Sequence, residues 1–276
     1  MKLSEMRELL ETHDIQLTKS LGQNFLHDQN QLRRIVAAAE LDREDSVLEV
    51  GPGLGPLTAL LLERAGRVLA VEKDVRLVTV LRDRFAGAPS LELQHADALK
   101  LVRDHSHDWR RWKLVANLPY SVASPIIVEL AQQVGRPERL VVTLQLEVAR
   151  RLMAHVGDED YGLLTLLVQL RYEPKEWFKI PRGSFFPEPD VDSACIVLLR
   201  REQELLTESQ HRVFERIVKR GLSQRRKMLV KLLKQDWPLP QVQSALDKLQ
   251  VRADVRGEKL SLEQFVALTK ILAGHE

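Results

Sequence analysis

The chain has 276 residues, of which 44% are hydrophobic and 29% are charged, with one cysteine and a formal net charge of +2. The composition is that of a globular protein with a large core, and a lone thiol excludes an intrachain disulfide framework and a cysteine-based zinc site. The near-neutral charge excludes a uniformly basic nucleic-acid binder, so any such binding must rest on local clusters. No run approaches about 18 consecutive apolar residues, and the amphipathic N-terminus has no apolar signal-peptide core. We expect no membrane contact and a cytoplasmic location.

Short apolar runs alternate with helical segments through the first half of the chain. The runs predict strands over residues 46–50, 67–72, 91–96, 113–117 and 139–147. Apolar residues at helical spacing predict helices over residues 55–65, 74–85 and 124–134. Strands that alternate with helices in this way indicate a mostly parallel sheet covered on both faces, which is an α/β fold.

The pattern changes in the second half of the chain. Residues 161–172 predict a helix, and residues 173–180 and 193–201 predict an antiparallel pair of strands at the edge of the sheet, with Cys195 as a small buried strand residue. Four further helices are predicted over residues 209–222, 224–235, 239–249 and 261–272, the last opened by the capping-box sequence Ser-Leu-Glu-Gln. We therefore predict an α/β domain over residues 1–201 and a small all-helical domain over residues 202–276.

The first strand runs into a glycine-rich turn, "EVGPGLGPLT", which contains Glu49, Gly51, Gly53 and Gly55. Such a strand-to-helix turn lets a ligand approach the backbone closely. Its G-x-G-x-G spacing differs from the dinucleotide fingerprint, and no Lys-Ser/Thr pair follows as in a P-loop. On the residues alone, a tight turn without a ligand remains the alternative.

Acidic residues end the next two strands. Glu72 can accept hydrogen bonds from both ribose hydroxyls, and Asp97, in "HADAL", can accept one from an exocyclic adenine amine. A glycine turn and two acids at successive strand ends suit a nucleoside without a pyrophosphate, and S-adenosylmethionine is the predicted co-substrate. Each acid taken singly has a plain alternative as a solvated loop residue.

The fourth strand ends in "NLPY", residues 117–120. An exocyclic amine is a poor nucleophile, and two hydrogen-bond acceptors would draw it toward a tetrahedral geometry. The side-chain oxygen of Asn117 and the backbone carbonyl of Leu118 are the predicted acceptors, while Tyr120, on the stiff support of Pro119, would stack on the base. Positioning then carries most of the catalysis, and no general base is required before transfer.

Two further segments carry candidate contacts. "SFFPEPDVDSA", residues 184–194, offers Phe185, or with less support Phe186, as a second ring against the base, with a hydrophobic loop anchor as the alternative.

Residues 219–234 are strongly basic, which suits contact with RNA phosphates, although a solvated helix face is the alternative. The predicted RNA-binding residues are Lys219, Arg220, Arg225, Arg226 and Lys227. His105 and His107 have no third ligand at useful spacing, so we predict no metal site.

Taken together, these motifs resemble the ribosomal RNA adenine N6,N6-dimethyltransferases, and more narrowly the bacterial enzymes of small-subunit (16S) RNA. The similarity covers about residues 18–235 and rests on five ordered motifs, "LGQNFL" (21–26), "EVGPGLGPLT" (49–58), "DA" (97–98), "NLPY" (117–120) and "FFPEPDVDSA" (185–194). The resemblance implies a Rossmann-like S-adenosylmethionine-dependent fold with a seven-stranded sheet. It also implies dimethylation of two adjacent adenosines in a hairpin near the 3′ end of that RNA, during small-subunit assembly.

The resemblance also assigns roles to residues. It implies that Asn24 and Leu26 line the methionine end of the co-substrate. Gly51 and Gly53 in the turn, Glu72 at the ribose and Asp97 at the adenine are the other implied co-substrate contacts. Asn117 would bridge the co-substrate and the acceptor amine, and Tyr120 and Phe185 would enclose the target adenine. This sequence departs from the family at Glu188, where a third proline often stands, and Lys73 follows the ribose-binding acid.

Three alternatives remain at this stage. A resistance-type enzyme of the same chemistry would act on large-subunit RNA and often carries Ile where Leu118 stands. A non-catalytic RNA-binding assembly or transcription factor would be expected to lose Glu72, Asn117 or Tyr120, all of which are present. A DNA adenine methyltransferase would need a larger recognition domain. We expect a monomeric enzyme that uses S-adenosylmethionine, no metal, and 16S rRNA within the small subunit as its substrate.

Overall fold

The structure is a computed structural model that describes residues 1–17 and 23–274. It divides into two compact units, the first formed by Met1–Ala149 with Glu173–Arg200 and the second by Arg150–Tyr172 with Arg201–Glu276. The predicted boundary near residue 201 coincides with one of the points at which the chain passes from one unit to the other. Residues 150–172, which we assigned to the α/β domain, instead group with the second unit, because Tyr161, Leu166 and Leu170 are buried in its hydrophobic core.

Nine strands occur among the described residues. They are β1 (Phe25–Leu26), β2 (Ser46–Val50), β3 (Arg67–Glu72), β4 (Leu91–His95), β5 (Trp112–Asn117), β6 (Arg139–Gln145), β7 (Tyr172–Ile180), β8 (Phe185–Phe186) and β9 (Ser193–Arg200). Seven of them form one sheet in the order β4-β3-β2-β5-β6-β9-β7, and β1 pairs with β8 in a separate two-stranded sheet. Strands β2 to β6 pair in parallel and β9 runs antiparallel to β6, so the predicted mostly parallel, Rossmann-like sheet is confirmed.

Helices flank the strands in the first unit and form most of the second. Those that begin in the first unit are α1 (Leu3–Thr12), α2 (Gln29–Ala38), α3 (Pro56–Arg64), α4 (Val75–Arg84), α5 (Ala98–Arg103), α6 (Ala123–Gln132) and α7 (Leu146–Met153). The second unit contains α8 (Leu163–Gln169), α9 (Glu208–Gly221), α10 (Leu229–Leu233), α11 (Leu239–Lys248) and α12 (Leu262–Ala273). Among the described residues, none of these helices is both long and apolar enough to cross a membrane.

Local sequence explains where several helices begin. Asp28 and Asp97 each accept two backbone N–H groups of the first turn that follows, and Asp74 accepts one, so all three cap helices. The predicted capping box of the last helix is present, since Ser261 and Gln264 exchange side-chain to backbone hydrogen bonds.

One helical prediction is wrong in part. Residues 224–228 are not helical, because the run from Gln224 to Lys227 has no apolar side chain to bury and ends in a turn closed by the Lys227 N–H on the Gln224 carbonyl. The helix α10 begins only at Leu229, the first fully buried residue after the turn.

Each unit has its own hydrophobic core. In the first, β2, β5, β6 and β9 bring Val47, Val115, Val141 and Cys195 into one buried cluster, and the predicted burial of Cys195 is confirmed. In the second, α9 and α12 bring together the fully buried rings of Phe214 and Phe265. The parallel strands of the first unit end at one edge of the sheet, and the candidate site lies there.

Candidate active site

A single cleft in the first unit collects most of the residues that the sequence singled out. It follows the carboxyl ends of β2, β3, β4 and β5, and its volume is about 1120 Å³ with the open solvent at its mouth included. The predicted residues that line it are Asn24, Leu26, Gly51, Gly53, Glu72, Asp97, Asn117, Leu118 and Tyr120. Leu21 and Gly22, the first residues of the "LGQNFL" motif, lie outside the described residues.

The glycine turn between β2 and α3 requires its glycines. Gly51 and Gly53 have φ angles of +68° and +62°, in the left-handed region that favours glycine. A Cβ on Gly53 would stand 2.7 Å from the ring of Phe25, and one on Gly51 would stand 3.2 Å from the ring of Pro119. The turn is therefore packed directly against both neighbouring motifs and exposes bare backbone to the cleft.

Glu72 joins the end of β3 to this turn. One carboxylate oxygen accepts the Gly53 N–H at 3.2 Å, and the other accepts the N–H groups of Lys73 and Asp74 at 2.8 and 2.9 Å. Burial raises the pKa of Glu72, while these backbone hydrogen bonds act in the opposite direction. A carboxylate has about four acceptor sites, so Glu72 retains room for one hydroxyl donor rather than the two that we expected.

Asp97 is more heavily engaged than the sequence suggested. Its Oδ1 atom caps α5 by accepting the N–H groups of Leu99 and Lys100, and its Oδ2 atom accepts the ammonium of Lys73 at 2.9 Å. The hydrogen bond from Lys73 and the backbone bonds hold the pKa of Asp97 below its ordinary value. Lys73 is thus hydrogen-bonded to the carboxylate that we expected to accept a hydrogen bond from an adenine amine.

Glu49 is a buried carboxyl on the cleft wall to which the sequence alone assigned no role beyond its motif. It is 1% exposed, and the Thr58 hydroxyl donates to its Oε2 atom at 2.7 Å. Burial raises the pKa of Glu49 to about 8, the hydrogen bond from Thr58 lowers it, and the nearby charge of Glu72 raises it further. At neutral pH this side chain is therefore a neutral carboxylic acid beside the glycine turn.

Asn117 presents a buried acceptor at the end of β5. Its Nδ2 atom donates to the Asn24 carbonyl at 3.0 Å, which orients the amide. Its Oδ1 atom is buried and has no hydrogen-bond partner among the described residues. An unsatisfied buried acceptor in a cleft favours a ligand that donates a hydrogen bond. The next residue, Leu118, is fixed to β6 because its N–H donates to the Thr143 carbonyl at 3.0 Å.

Tyr120 lies half-buried on the cleft wall, one residue after Pro119. Its hydroxyl shares a hydrogen bond of 2.5 Å with the hydroxyl of Ser193, the first residue of β9. Burial raises the pKa of Tyr120, so the phenol is neutral at physiological pH. The ring can stack on a base, and its hydroxyl is already engaged with Ser193.

The second predicted ring, Phe185, is not on the cleft wall. Phe185 is 3% exposed and packs in the hydrophobic core cluster of the sheet, whereas the half-buried Phe186 lies under the guanidinium of Arg7. The two are placed by pairing of β1 with β8, in which Phe25 faces Phe186 and Leu26 faces Phe185. The structure therefore brings the "QNFL" motif to the phenylalanine loop, but it does not bring Phe185 to the cleft.

The predicted RNA-binding residues lie in the second unit, at and after the end of α9. Lys219 pairs with Glu215 and Arg220 pairs with Asp236, so both cations already have anionic partners. Arg225 donates to the backbone carbonyl of Glu159 at 2.9 Å. Arg226 and Lys227 are exposed in the loop before α10.

The structure adds residues that sequence reasoning missed. The Phe25 ring packs against Gly53 of the glycine turn, Lys73 forms an ion pair with Asp97, and Ser193 is hydrogen-bonded to Tyr120. In the second unit, Arg212 and Arg216 stand two turns and one turn before Lys219, respectively, on the exposed face of α9, around a shallow depression. Their spacing of four and three residues along an amphipathic helix was a usable signal, whereas the other three contacts join segments too distant in sequence to be foreseen.

Comparisons with known proteins show what the chain is similar to. The family model described as ribosomal RNA adenine dimethylase matches residues 15–274. A relative in Ligilactobacillus salivarius, named ribosomal RNA small subunit methyltransferase A, is 38% identical over 96% of this chain and 93% of its own length. A relative of the same name in Geobacter metallireducens is 39% identical over 94% of this chain and 96% of its own length.

Two solved structures share the fold over most of the chain. A dimethyladenosine transferase from Plasmodium falciparum superposes with a TM-score of 0.76 at 27% identity, over 88% of this chain and 95% of its own. The 23S rRNA methyltransferase ErmE superposes with a TM-score of 0.70 at 31% identity, over 90% of this chain and 99% of its own.

Proposed function

We propose that this chain, which belongs to the ribosomal RNA adenine dimethylase family, methylates N6 of two adjacent adenosines in a hairpin near the 3′ end of 16S rRNA. The product would be N6,N6-dimethyladenosine, made during assembly of the small ribosomal subunit. The observation that carries the proposal is the buried Oδ1 atom of Asn117, which has no hydrogen-bond partner in the part of the chain that the structure describes and shares a cleft with the ring of Tyr120. An acceptor beside an aromatic ring is what an extruded adenine needs.

The cleft residues suit S-adenosylmethionine. Bound there, the co-substrate would supply a methyl group on an electrophilic sulfonium. Gly51 and Gly53 expose backbone to it, Glu72 retains one acceptor direction for a ribose hydroxyl, and Asp97 can share its carboxylate between Lys73 and an adenine amine. Asn24 and Leu26 would line the methionine end. Each of these residues lines the cleft, and side chains at the two glycines would collide with Phe25 or Pro119.

The chain's own residues would act on the acceptor by positioning it. The Oδ1 atom of Asn117 and the carbonyl of Leu118 would accept the two N–H groups of the adenine amine, which directs the nitrogen lone pair toward the methyl donor. Tyr120 would stack on one face of the base. Phe185 could meet the other face only if its ring left the hydrophobic cluster, so that part of the proposal requires a local movement.

The second unit would bind the RNA through phosphate contacts. Arg226 and Lys227 are exposed, and Lys219, Arg220 and Arg225 stand beside them in the chain. Salt would weaken such binding strongly because each phosphate contact releases counterions. We further propose that the enzyme works as a monomer in the cytoplasm. Sedimentation of the purified protein would test the monomeric state, and sedimentation of cell fractions would test the location.

Methyl transfer in vitro tests the proposed function. The protein is incubated with S-adenosylmethionine labelled in its methyl group and with unmethylated small subunits, large subunits or free RNA, and the RNA is then digested to nucleosides and identified by mass. We expect N6,N6-dimethyladenosine in 16S rRNA only. Label confined to large-subunit RNA would move the substrate to that of ErmE-like enzymes, and no label in any RNA would overturn the enzymatic assignment.

A further inference from the structure

We propose that Ser193 is a positioning residue, which orients the ring of Tyr120 for stacking on the acceptor base. The inference rests on the proposed function, because it assigns to Tyr120 a base to stack on. The hydroxyls of the two residues share a hydrogen bond of 2.5 Å, although 73 positions separate them in the chain. Ser193 is completely buried and does not line the cleft, so it acts only through the tyrosine.

Ser193 is held by the sheet and is therefore a rigid anchor. It begins β9, where it lies opposite Gln145 of the antiparallel strand β6. The residue before it, Asp192, accepts the Leu146 N–H at 2.9 Å and forms an ion pair with Lys179 at 2.7 Å. A hydroxyl on such a frame has little freedom to move, which is what a positioning group requires.

Tyr120, in contrast, stands in the short connection between β5 and α6. Its backbone is constrained on one side by Pro119, whose carbonyl accepts the Val122 N–H at 3.1 Å. The bond to Ser193 restrains the far end of the same side chain. With both ends restrained, the plane of the ring is set before the base arrives, and less conformational freedom is lost on binding.

The hydroxyl of Tyr120 is not needed for proton transfer in this scheme. Burial keeps it a neutral phenol, and Ser193 already uses it as a hydrogen-bond partner. The substitution Tyr120→Phe would keep the stacking surface and lose only the restraint. This separates an orienting role for the hydroxyl from a chemical one.

A double-mutant cycle tests the inference. The full-length protein, Ser193→Ala, Tyr120→Phe and the double variant are compared for kcat and KM of methyl transfer to small subunits. One neutral hydrogen bond corresponds to about a three- to tenfold effect, so we expect each single variant to lose about that much in kcat/KM. The double variant should be no worse than Tyr120→Phe alone, because both changes remove the same contact. Ser193→Thr keeps the hydroxyl and should retain most of the activity.

A second readout follows the base directly. RNA that carries the fluorescent base 2-aminopurine at the target position should be quenched on binding by stacking, and Ser193→Ala should weaken that quenching while leaving S-adenosylmethionine affinity unchanged. Ser106→Ala, in the exposed loop before β5, is the matched control and should behave as wild type. Thermal unfolding of each variant identifies any loss that arises from the fold.

The outcomes separate the inference from the proposed function. Active wild type with fully additive losses in the double variant, or with unchanged quenching in Ser193→Ala, would overturn the role of Ser193 and leave the function intact. A wild type that methylates no ribosomal RNA would overturn the proposed function, and the inference would fall with it.

Discussion

Asn117 donates its side-chain N–H to the backbone carbonyl of Asn24 at 3.0 Å, across 93 positions of sequence. The bond decides which end of the amide faces the cleft, since the nitrogen is committed and the oxygen is left as the acceptor. It also ties the end of β5 to the segment that precedes β1. Two motifs that the sequence analysis treated separately therefore form one wall of the site.

Replacing Asn117 should reduce methyl transfer much more than it reduces co-substrate binding. Asn117→Ala removes the oriented acceptor, and loss of one such preorganised group typically lowers kcat by about 100-fold or more. We expect that loss with labelled methyl transfer, and a much smaller change in S-adenosylmethionine affinity by calorimetry. Asn30→Ala, an exposed asparagine on α2, should be indistinguishable from wild type. Near-normal transfer by Asn117→Ala would remove the residue from the proposed mechanism.

Glu49 should make stability fall as pH rises. The pKa of its side chain is raised from an ordinary value of 4.5 to about 8 by burial, so between these values only the unfolded state releases the proton. The folded state thus loses stability relative to the unfolded state by up to about 1.4 kcal/mol per pH unit from this group, with no further change below 4.5 or above 8.

The substitution Glu49→Gln isolates this effect. Urea unfolding from pH 5.5 to pH 8 should show the variant gaining stability relative to wild type as pH rises. Glu92→Gln removes an exposed strand glutamate, which pairs with Arg67, and should show no such trend. A constant difference between Glu49→Gln and wild type over this range would mean that Glu49 is ionised in the folded protein.

Lys73 should compete with the co-substrate for Asp97. Because the lysine is largely exposed, its ion pair with Asp97 is worth at most about 1 kcal/mol, or roughly a fivefold change in an equilibrium constant. Lys73→Met keeps the apolar stem and frees the carboxylate, so we expect S-adenosylmethionine to bind about two- to fivefold more tightly by calorimetry. Lys175→Met removes a similar exposed ion pair on β7 and serves as the control. Weaker binding by Lys73→Met would indicate that the ammonium contacts the ligand itself.

Gly53 should tolerate no side chain. Gly53→Ala places a Cβ 2.7 Å from the Phe25 ring at a φ of +62°, and a strained position of this kind typically lowers the free energy of unfolding by about 1–3 kcal/mol. We expect that loss in urea unfolding, together with weaker co-substrate binding because Phe25 also lines the cleft. Gly87→Ala, which meets no atom within 4 Å, should be neutral or slightly stabilising. Equal behaviour of the two variants would contradict the close packing of the turn.

Much of the fold and of the candidate site follows from short-range pattern. The predicted strands at residues 46–50 and 67–72 have the observed bounds, because a buried parallel strand is a nearly continuous apolar run. Cleft residues such as Glu72 and Asn117 could be named because parallel strands all deliver their carboxyl ends to one edge of the sheet. The roles assigned to these residues in binding and catalysis are tested by the experiments above.

Other features depended on contacts between distant segments. The grouping of residues 150–172 with the second unit, the pairing of β1 with β8, and the buried position of Phe185 each arise from packing that no local period encodes. The same is true of the partners of Lys73 and Tyr120, which lie 24 and 73 residues away. The identity of the residues at the strand ends follows from hydrophobic period and turn chemistry, which are local properties of the chain. Whether such a residue is already hydrogen-bonded, or has an acceptor with no partner among the described residues as the Oδ1 atom of Asn117 does, depends on three-dimensional proximity.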